Sequence, residues 1–171
     1  MLDKKLTDLI NEQIAKEFYS AYLYLHMANH CENEGLDGFA NWYTIQAQEE
    51  RDHAMIFRNY LINNGVRVVL EQIDKPTVDA KNISEVLAAG LGHEKFITAS
   101  IDNIYGEAFA IKDFKSMQFL DWFVKEQVEE EKNASDLITK YELFGSDSKG
   151  LYMLNQELGG RTYTPTAMLK A

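Results

Sequence analysis

The chain has 171 residues, 46% of them apolar, with two prolines, ten glycines and a formal net charge of −10. That length and composition suit one globular domain with a sizeable core, and the negative charge speaks against a nucleic-acid partner or an anionic membrane surface while favouring cations. With Cys31 as its one cysteine, the chain can form neither an intrachain disulfide nor a Cys-rich zinc or rubredoxin-type site.

No apolar run reaches the roughly 18 residues of a membrane helix, and Met1 to Ile10 has no signal-peptide core, so a cytoplasmic chain is expected. Lys5 to about Asn33 reads as a first long helix, with Leu6, Leu9, Ile10, Ile14, Phe18, Leu25 and Ala28 as core candidates. Gly35 to Gly38 breaks it, and so short a loop sends the next helix back antiparallel. The second helix, Phe39 to Asn64, contains neither Pro nor Gly. In it Phe39, Tyr43, Gln46, Glu50, His53, Phe57 and Tyr60 follow at steps of three and four, which sets Glu50 and His53 on the inward stripe one turn apart. From Val66 to Lys81 the period changes: Val66, Val68 and Leu70 alternate and Pro76 intervenes, so this segment is extended chain. About 15 extended residues reach roughly 50 Å, enough to cross the length of a long helix and set helices two and three parallel.

A third helix runs from Asn82 to about Phe109 with Ile83, Val86, Leu87, Leu91, Phe96, Ile97, Ile101 and Ile104 apolar. After a break at Lys112 and Asp113 a fourth carries Phe119, Leu120, Phe123, Ala134, Leu137 and Ile138 to about Phe144. Gly145-Ser146-Asp147 separates it from a short fifth helix, Ser148 to Leu158, which Gly159-Gly160 ends, and the remainder reads as a tail. The expected fold is all-α: a single domain over 1–171, with a four-helix bundle at about 5–144, a long crossover between helices two and three, a short fifth helix at about 148–158, and a tail at 159–171.

A Glu-x-x-His pair alone is better explained by a solvated salt-bridge face than by a metal site. The other helices decide. Glu17 is the only charge on the first helix's stripe of Ile10, Ile14, Ala21, Tyr24 and Ala28, and Glu94 sits likewise among Leu87, Leu91, Ile97 and Ile101. The fourth helix turns Gln127 and Glu130 inward with Phe123, Ala134 and Leu137. Each of these polar groups lies near its helix's midpoint, within about 5 Å along the axis, so four helices deliver Glu17, Glu50, His53, Glu94, Gln127 and Glu130 to one slab of the core. No Lys or Arg shares those stripes, since Arg51 and Lys95 point about 100° away. Buried like charges without partners cost several kcal/mol each, and a polyvalent cation satisfies them better than a hydrated or protonated cluster does. Carboxylates with a single imidazole suit iron or manganese more than zinc or copper, and this many ligands suit a bridged pair with Glu50 as the bridge. The first position would take Glu17, Glu50 and His53, and a looser second one Glu50, Glu94 and Glu130.

The set Glu17, Tyr24, Glu49-Glu50-x-x-His53, Glu94, Trp122 and Glu126-Gln127-x-x-Glu130 resembles the motifs of bacterial non-haem ferritins, and the resemblance runs from the first helix through the fifth. It implies a ferritin-like bundle in which Glu17, Glu50, His53, Glu94 and Gln127 surround a ferroxidase di-iron centre, with Glu130 at the second iron. It further implies a third iron position at Glu49, Glu126, Glu129 and Glu130, and redox roles for Tyr24 and Trp122. The same family assembles as a hollow shell of twenty-four like subunits, oxidises iron(II) with dioxygen or hydrogen peroxide, and stores the ferric mineral. Haem-binding bacterioferritins place Met after the bridging Glu and His in the fourth helix, where this chain has Arg51 and Glu130, so no haem is expected. Another di-iron carboxylate oxidase is the alternative enzyme, and a metal-free structural bundle the alternative of a different class. His26, His30 and His93, without a second ligand at helical spacing, read as ordinary histidines.

Overall fold

The computed structural model describes residues 2–170; Met1 and Ala171, the two ends of the expected domain, lie outside the described residues. Helices α1 (Lys4–Asn33) and α2 (Asp37–Asn63) form one antiparallel pair and α3 (Ile83–Ala110) and α4 (Phe114–Phe144) the other, while α5 (Ser148–Gly159) lies against α2 and α4. A 3-10 turn at Ala167–Lys170 packs on α2. Among the described residues there is no strand, and no helix is long and apolar enough to cross a membrane.

Short polar side chains start most of these helices. Asp3 accepts from the Lys5 and Leu6 amides, Asn82 from Glu85, Asp113 from Ser116, and Asp147 from Lys149 and Gly150, each satisfying donors that a helix leaves free in its first turn. Helix α2 begins at Leu36, which has no capping side chain. Its cap comes from elsewhere in the chain: Asn155 of α5 accepts from the amides of Gly38 at 2.8 Å and Phe39 at 3.2 Å. The approach is so close that a Cβ on Gly38 would fall 1.7 Å from the Asn155 carbonyl oxygen.

The crossover is extended, as its alternation predicts, and it runs the length of the bundle. Val66 and Val68 pack on one end of the core, Val78 and Ala80 on the other, so α2 and α3 are parallel. Asn11 of α1 clamps it midway, donating to the Val69 carbonyl and accepting from the Val69 amide at 2.9 Å.

The core is in two apolar parts. One gathers Tyr24, Phe39, Tyr43, Leu87, Leu137 and Leu154, with Cys31 wholly buried among them; the other gathers Leu6, Ile10, Phe57, Ile101 and Phe123. Between them lies a buried polar layer of Gln13, Glu17, Ser20, Gln46, Glu50, His53, Glu94, Gln127 and Glu130.

Two expected core residues are outside: Leu25 is 44% and Phe96 53% exposed, because each sits at the edge of a stripe broad enough to admit it by periodicity alone. The segment after α5 does not hang free. Asn41 donates to the carbonyls of Leu158 and Arg161, and Met168 and Leu169 pack against the second apolar cluster, so the chain lies back along α2.

Candidate metal centre

Each side chain of the polar layer reaches it from an uninterrupted helix, so backbone packing, not loop conformation, fixes its position. Glu17 of α1 has no exposed surface, Glu50 and His53 of α2 are 2% and 3% exposed, and Glu94, Gln127 and Glu130 from α3 and α4 are equally enclosed.

One oxygen of Glu17 is pinned: Gln13, one turn earlier, donates to Oε1 at 2.8 Å, while Oε2 has no partner. Gln13 is oriented in turn by the Ser100 hydroxyl, which donates to its amide oxygen at 2.6 Å and accepts from Lys16 at 2.8 Å. Glu130 is held in the same manner by Gln46, whose amide donates to Oε2 at 2.9 Å and whose own oxygen is unpartnered. Glu94 accepts from Tyr24 on Oε1 and from Gln127 on Oε2 at 3.2 Å. Gln127 thus presents its nitrogen to Glu94, and it also donates to the Glu94 carbonyl and to Thr98. Glu50 Oε2 lies 3.4 Å from His53 Nδ1, longer than a good hydrogen bond, and Glu50 Oε1 has no partner.

Ligand atoms of Glu17, Glu50 and His53 lie within 4.8 Å of one another, and so do those of His53, Glu126 and Glu130. The chemistry of this donor set fits iron: oxygen and imidazole ligands, already desolvated, with bare carboxylate oxygens on Glu17 and Glu50. Burial pushes the Glu17 carboxyl well above the usual range, and the neighbouring Glu50 charge adds to it. Glu50 is raised by burial and then by Glu94 and Glu130; Glu94 by burial, against the bond from Tyr24; Glu130 by burial and Glu94, to about 8. Burial thus favours the neutral form of each of these acids while the layer holds no cation, and a bound cation would favour the ionised form.

Of the residues expected at a third position, Glu126 is half-buried with Oε1 4.0 Å from His53 Nε2, and Glu130 is beside it. Glu129 is exposed, and Glu49, at the edge of the group, is paired with Arg161. Tyr24 stacks on Tyr43 with centroids 5.8 Å apart, and Trp122 meets the His53 ring edge-on at 5.5 Å. His93 is a partly buried histidine bonded to Ser20 at 2.7 Å, and burial lowers it to about 4. His26 lies at the surface, against the Val78 carbonyl.

Gln13 and Ser100 have no part in the sequence reading, and Gln46 appears there only as a stripe position. The available signal was spacing: Gln13 and Gln46 each stand four residues before a site carboxylate, on its face.

Residues 7–144 match the ferritin-like domain family. A probable bacterial non-heme ferritin-like protein of Haemophilus influenzae is 37% identical over 93% of this chain and 96% of its own length. A bacterial non-heme ferritin of Staphylococcus aureus is 36% identical over 95% and 98%. Among solved structures, the open pore ferritin of the archaeon Archaeoglobus fulgidus aligns with a TM-score of 0.92 at 38% identity, covering 95% of this chain and all of that one. A form of that ferritin engineered to be closed gives 0.93 at 38% identity, over 96% of this chain.

Proposed function

This chain belongs to the ferritin family, and on that premise we propose that it stores and detoxifies iron by oxidising iron(II) inside each subunit and depositing the ferric product within a homo-oligomeric shell. The observation that carries the reading is the pair of bare, buried oxygens on Glu17 and Glu50 beside His53. A bundle built only for stability would have closed that gap with apolar side chains.

Iron(II) is the substrate. Glu17, Glu50 and His53 take the first ion, and Glu50, Glu94 and Glu130 the second. Gln127, neutral and donating to Glu94, leaves the second position one charge poorer, so its ion is held more loosely. The two ions together give two electrons to dioxygen, which with two protons leaves as hydrogen peroxide, or to peroxide, which with two protons leaves as water. Protons displaced from the buried acids leave as the ions arrive, and the hard carboxylate oxygens favour the ferric product. Tyr24, bonded to Glu94, and Trp122, against His53, are the aromatic side chains placed to supply or relay an electron. Oxidised iron then moves outward through Glu126 and Glu130, with Glu49 and Glu129 beyond. Haem has no place in this scheme, because Arg51 and Glu130 stand where the haem-binding relatives have Met and His.

Assembly, with twenty-four subunits as in the family the motifs resemble, is supported by the apolar surface that one subunit leaves bare. Tyr22, Leu25, Val69, Leu70 and Ile73 of α1 and the crossover are between 41% and 67% exposed. A cytoplasmic setting is part of the same proposal.

The test is the double variant Glu17→Ala, His53→Ala, which removes two ligands of the first position while leaving the apolar clusters intact. Fast iron(II) oxidation followed by stopped-flow absorbance should be lost with the assembly retained on sedimentation. Oxidation at the parent rate would overturn the assignment.

A further inference from the structure

One carboxylate at the edge of the cluster is already engaged. Glu49 Oε2 lies 2.6 Å from Nη2 of Arg161, a residue 112 positions away in sequence. Arg161 is also held from behind: its guanidinium covers the Trp42 ring at 4.1 Å from the centroid, and Nη1 donates to the Trp42 carbonyl at 3.3 Å. Asn41 fixes the Arg161 carbonyl, and two residues on, the Tyr163 hydroxyl donates to Asp52 at 2.5 Å. The segment following α5 is therefore a strap laid along α2, touching it beside Trp42, Glu49 and Asp52 in turn.

Among the described residues no other Lys or Arg pairs with a carboxylate of the cluster formed by Glu49, Glu50, Glu126 and Glu130. Burial does most to disfavour the charges of Glu126 and Glu130, and Glu49 adds to both, so the three acids share one field. Arg161 offsets part of it. An iron ion brings two or three positive charges to the same place, and the guanidinium then faces repulsion from the metal as well as competition for Glu49.

We propose that Arg161 is the internal counter-ion of the outer carboxylate cluster, displaced from Glu49 when a cation enters and retained on the Trp42 face, so that occupancy of the cluster loosens the strap. The proposal rests on the iron-handling reading above. The exchange is favourable in that direction because the Arg161 and Glu49 side chains are mostly enclosed, 20% and 26% exposed, so the hydration both charges have given up offsets much of their attraction. A cation held by several carboxylates is bound far more strongly. The planar guanidinium suits the waiting position, since it can add stacking on the indole to the cation–π attraction.

Zinc(II) serves as a redox-inert probe on the full-length assembled protein. Calorimetric titration resolves tight equivalents at the buried ligands from a further, weaker equivalent at the outer cluster. Hydrogen exchange of residues 161–169 is followed through the same titration. Exchange should stay flat while the tight equivalents fill, then rise several-fold as the weaker one binds. In Arg161→Gln that weaker equivalent should bind about fivefold tighter, the competitor being gone. Glu49→Gln should abolish the coupling. A strap whose exchange is unchanged at zinc saturation, or an Arg161→Gln variant that binds no tighter than the parent, would overturn the inference alone, with tight uptake intact. Absence of any zinc uptake would overturn it together with the iron-handling reading.

Discussion

Replacing Gln13 with Leu tests how the polar layer prepares Glu17 for metal. In the metal-free protein Glu17 is wholly buried and burial favours its neutral form, against which the variant loses one hydrogen bond to an uncharged acid, about 1 kcal/mol. The Ser100 hydroxyl, half-buried, can turn to solvent. Once a cation binds, Glu17 is ionised and the Gln13 amide at 2.8 Å is a bond to an anion, about 1.5–3 kcal/mol. The difference, about 0.5–2 kcal/mol at 1.4 per decade, is a loss of roughly 2- to 30-fold in affinity at the first position. That overlaps the roughly 10- to 100-fold usual for the outer partners of metal ligands. Anaerobic cobalt(II) titration by visible absorbance measures it, with thermal unfolding as the control for global damage. An affinity within twofold of the parent would refute the idea that Gln13 prepares Glu17.

The Glu130 carboxyl is raised from 4.5 to about 8 in the folded chain, so the unfolded carboxyl gives up its proton first, and metal-free stability should fall as pH rises across that window and level off above it. Glu130→Gln should make the slope of thermal midpoint against pH shallower, and parallel slopes would contradict the placement. Gly38→Ala drives a Cβ into the Asn155 carbonyl and should shift α5 off α2, costing about 1–3 kcal/mol and lowering the melting midpoint by roughly 3–10 °C. A melt indistinguishable from the parent would mean that α5 adjusts freely. Leu70 is 67% exposed whereas Val68 packs on its own subunit's core. Leu70→Asp should therefore weaken assembly at unchanged subunit stability and Val68→Asp should destabilise the subunit itself; unaltered sedimentation of Leu70→Asp would remove the crossover from the interface.

The four long helices were legible because each carries an unbroken apolar period, and the polar layer because one midpoint level could be read on four stripes at once. What could not be read was whatever depends on a partner distant in sequence. The cap that Asn155 gives to α2 leaves no local trace at Leu36, where a search for Ser, Thr or Asp finds nothing. Arg161 looks like any charged tail residue until folding lays it on Trp42 and Glu49. Neutral amides are quieter still: Gln13 and Gln46 have the right spacing, but nothing in their composition separates a glutamine that orients a carboxylate from one facing water. Periodicity also overreached at Leu25 and Phe96, since a stripe of 3.6 period does not mark where the neighbouring helix stops.

Under the proposed oxidation of iron by oxygen or peroxide, the placement of Cys31 takes on another meaning. A thiol becomes vulnerable to such oxidants in proportion to its thiolate. Cys31 has no exposed surface, and burial moves it from about 9 to about 12, so its thiolate is scarcer by about a thousandfold than that of a free cysteine. Enclosed in the apolar cluster on one side of the polar layer, the single sulfhydryl is shielded from the hazard that the proposed chemistry would create.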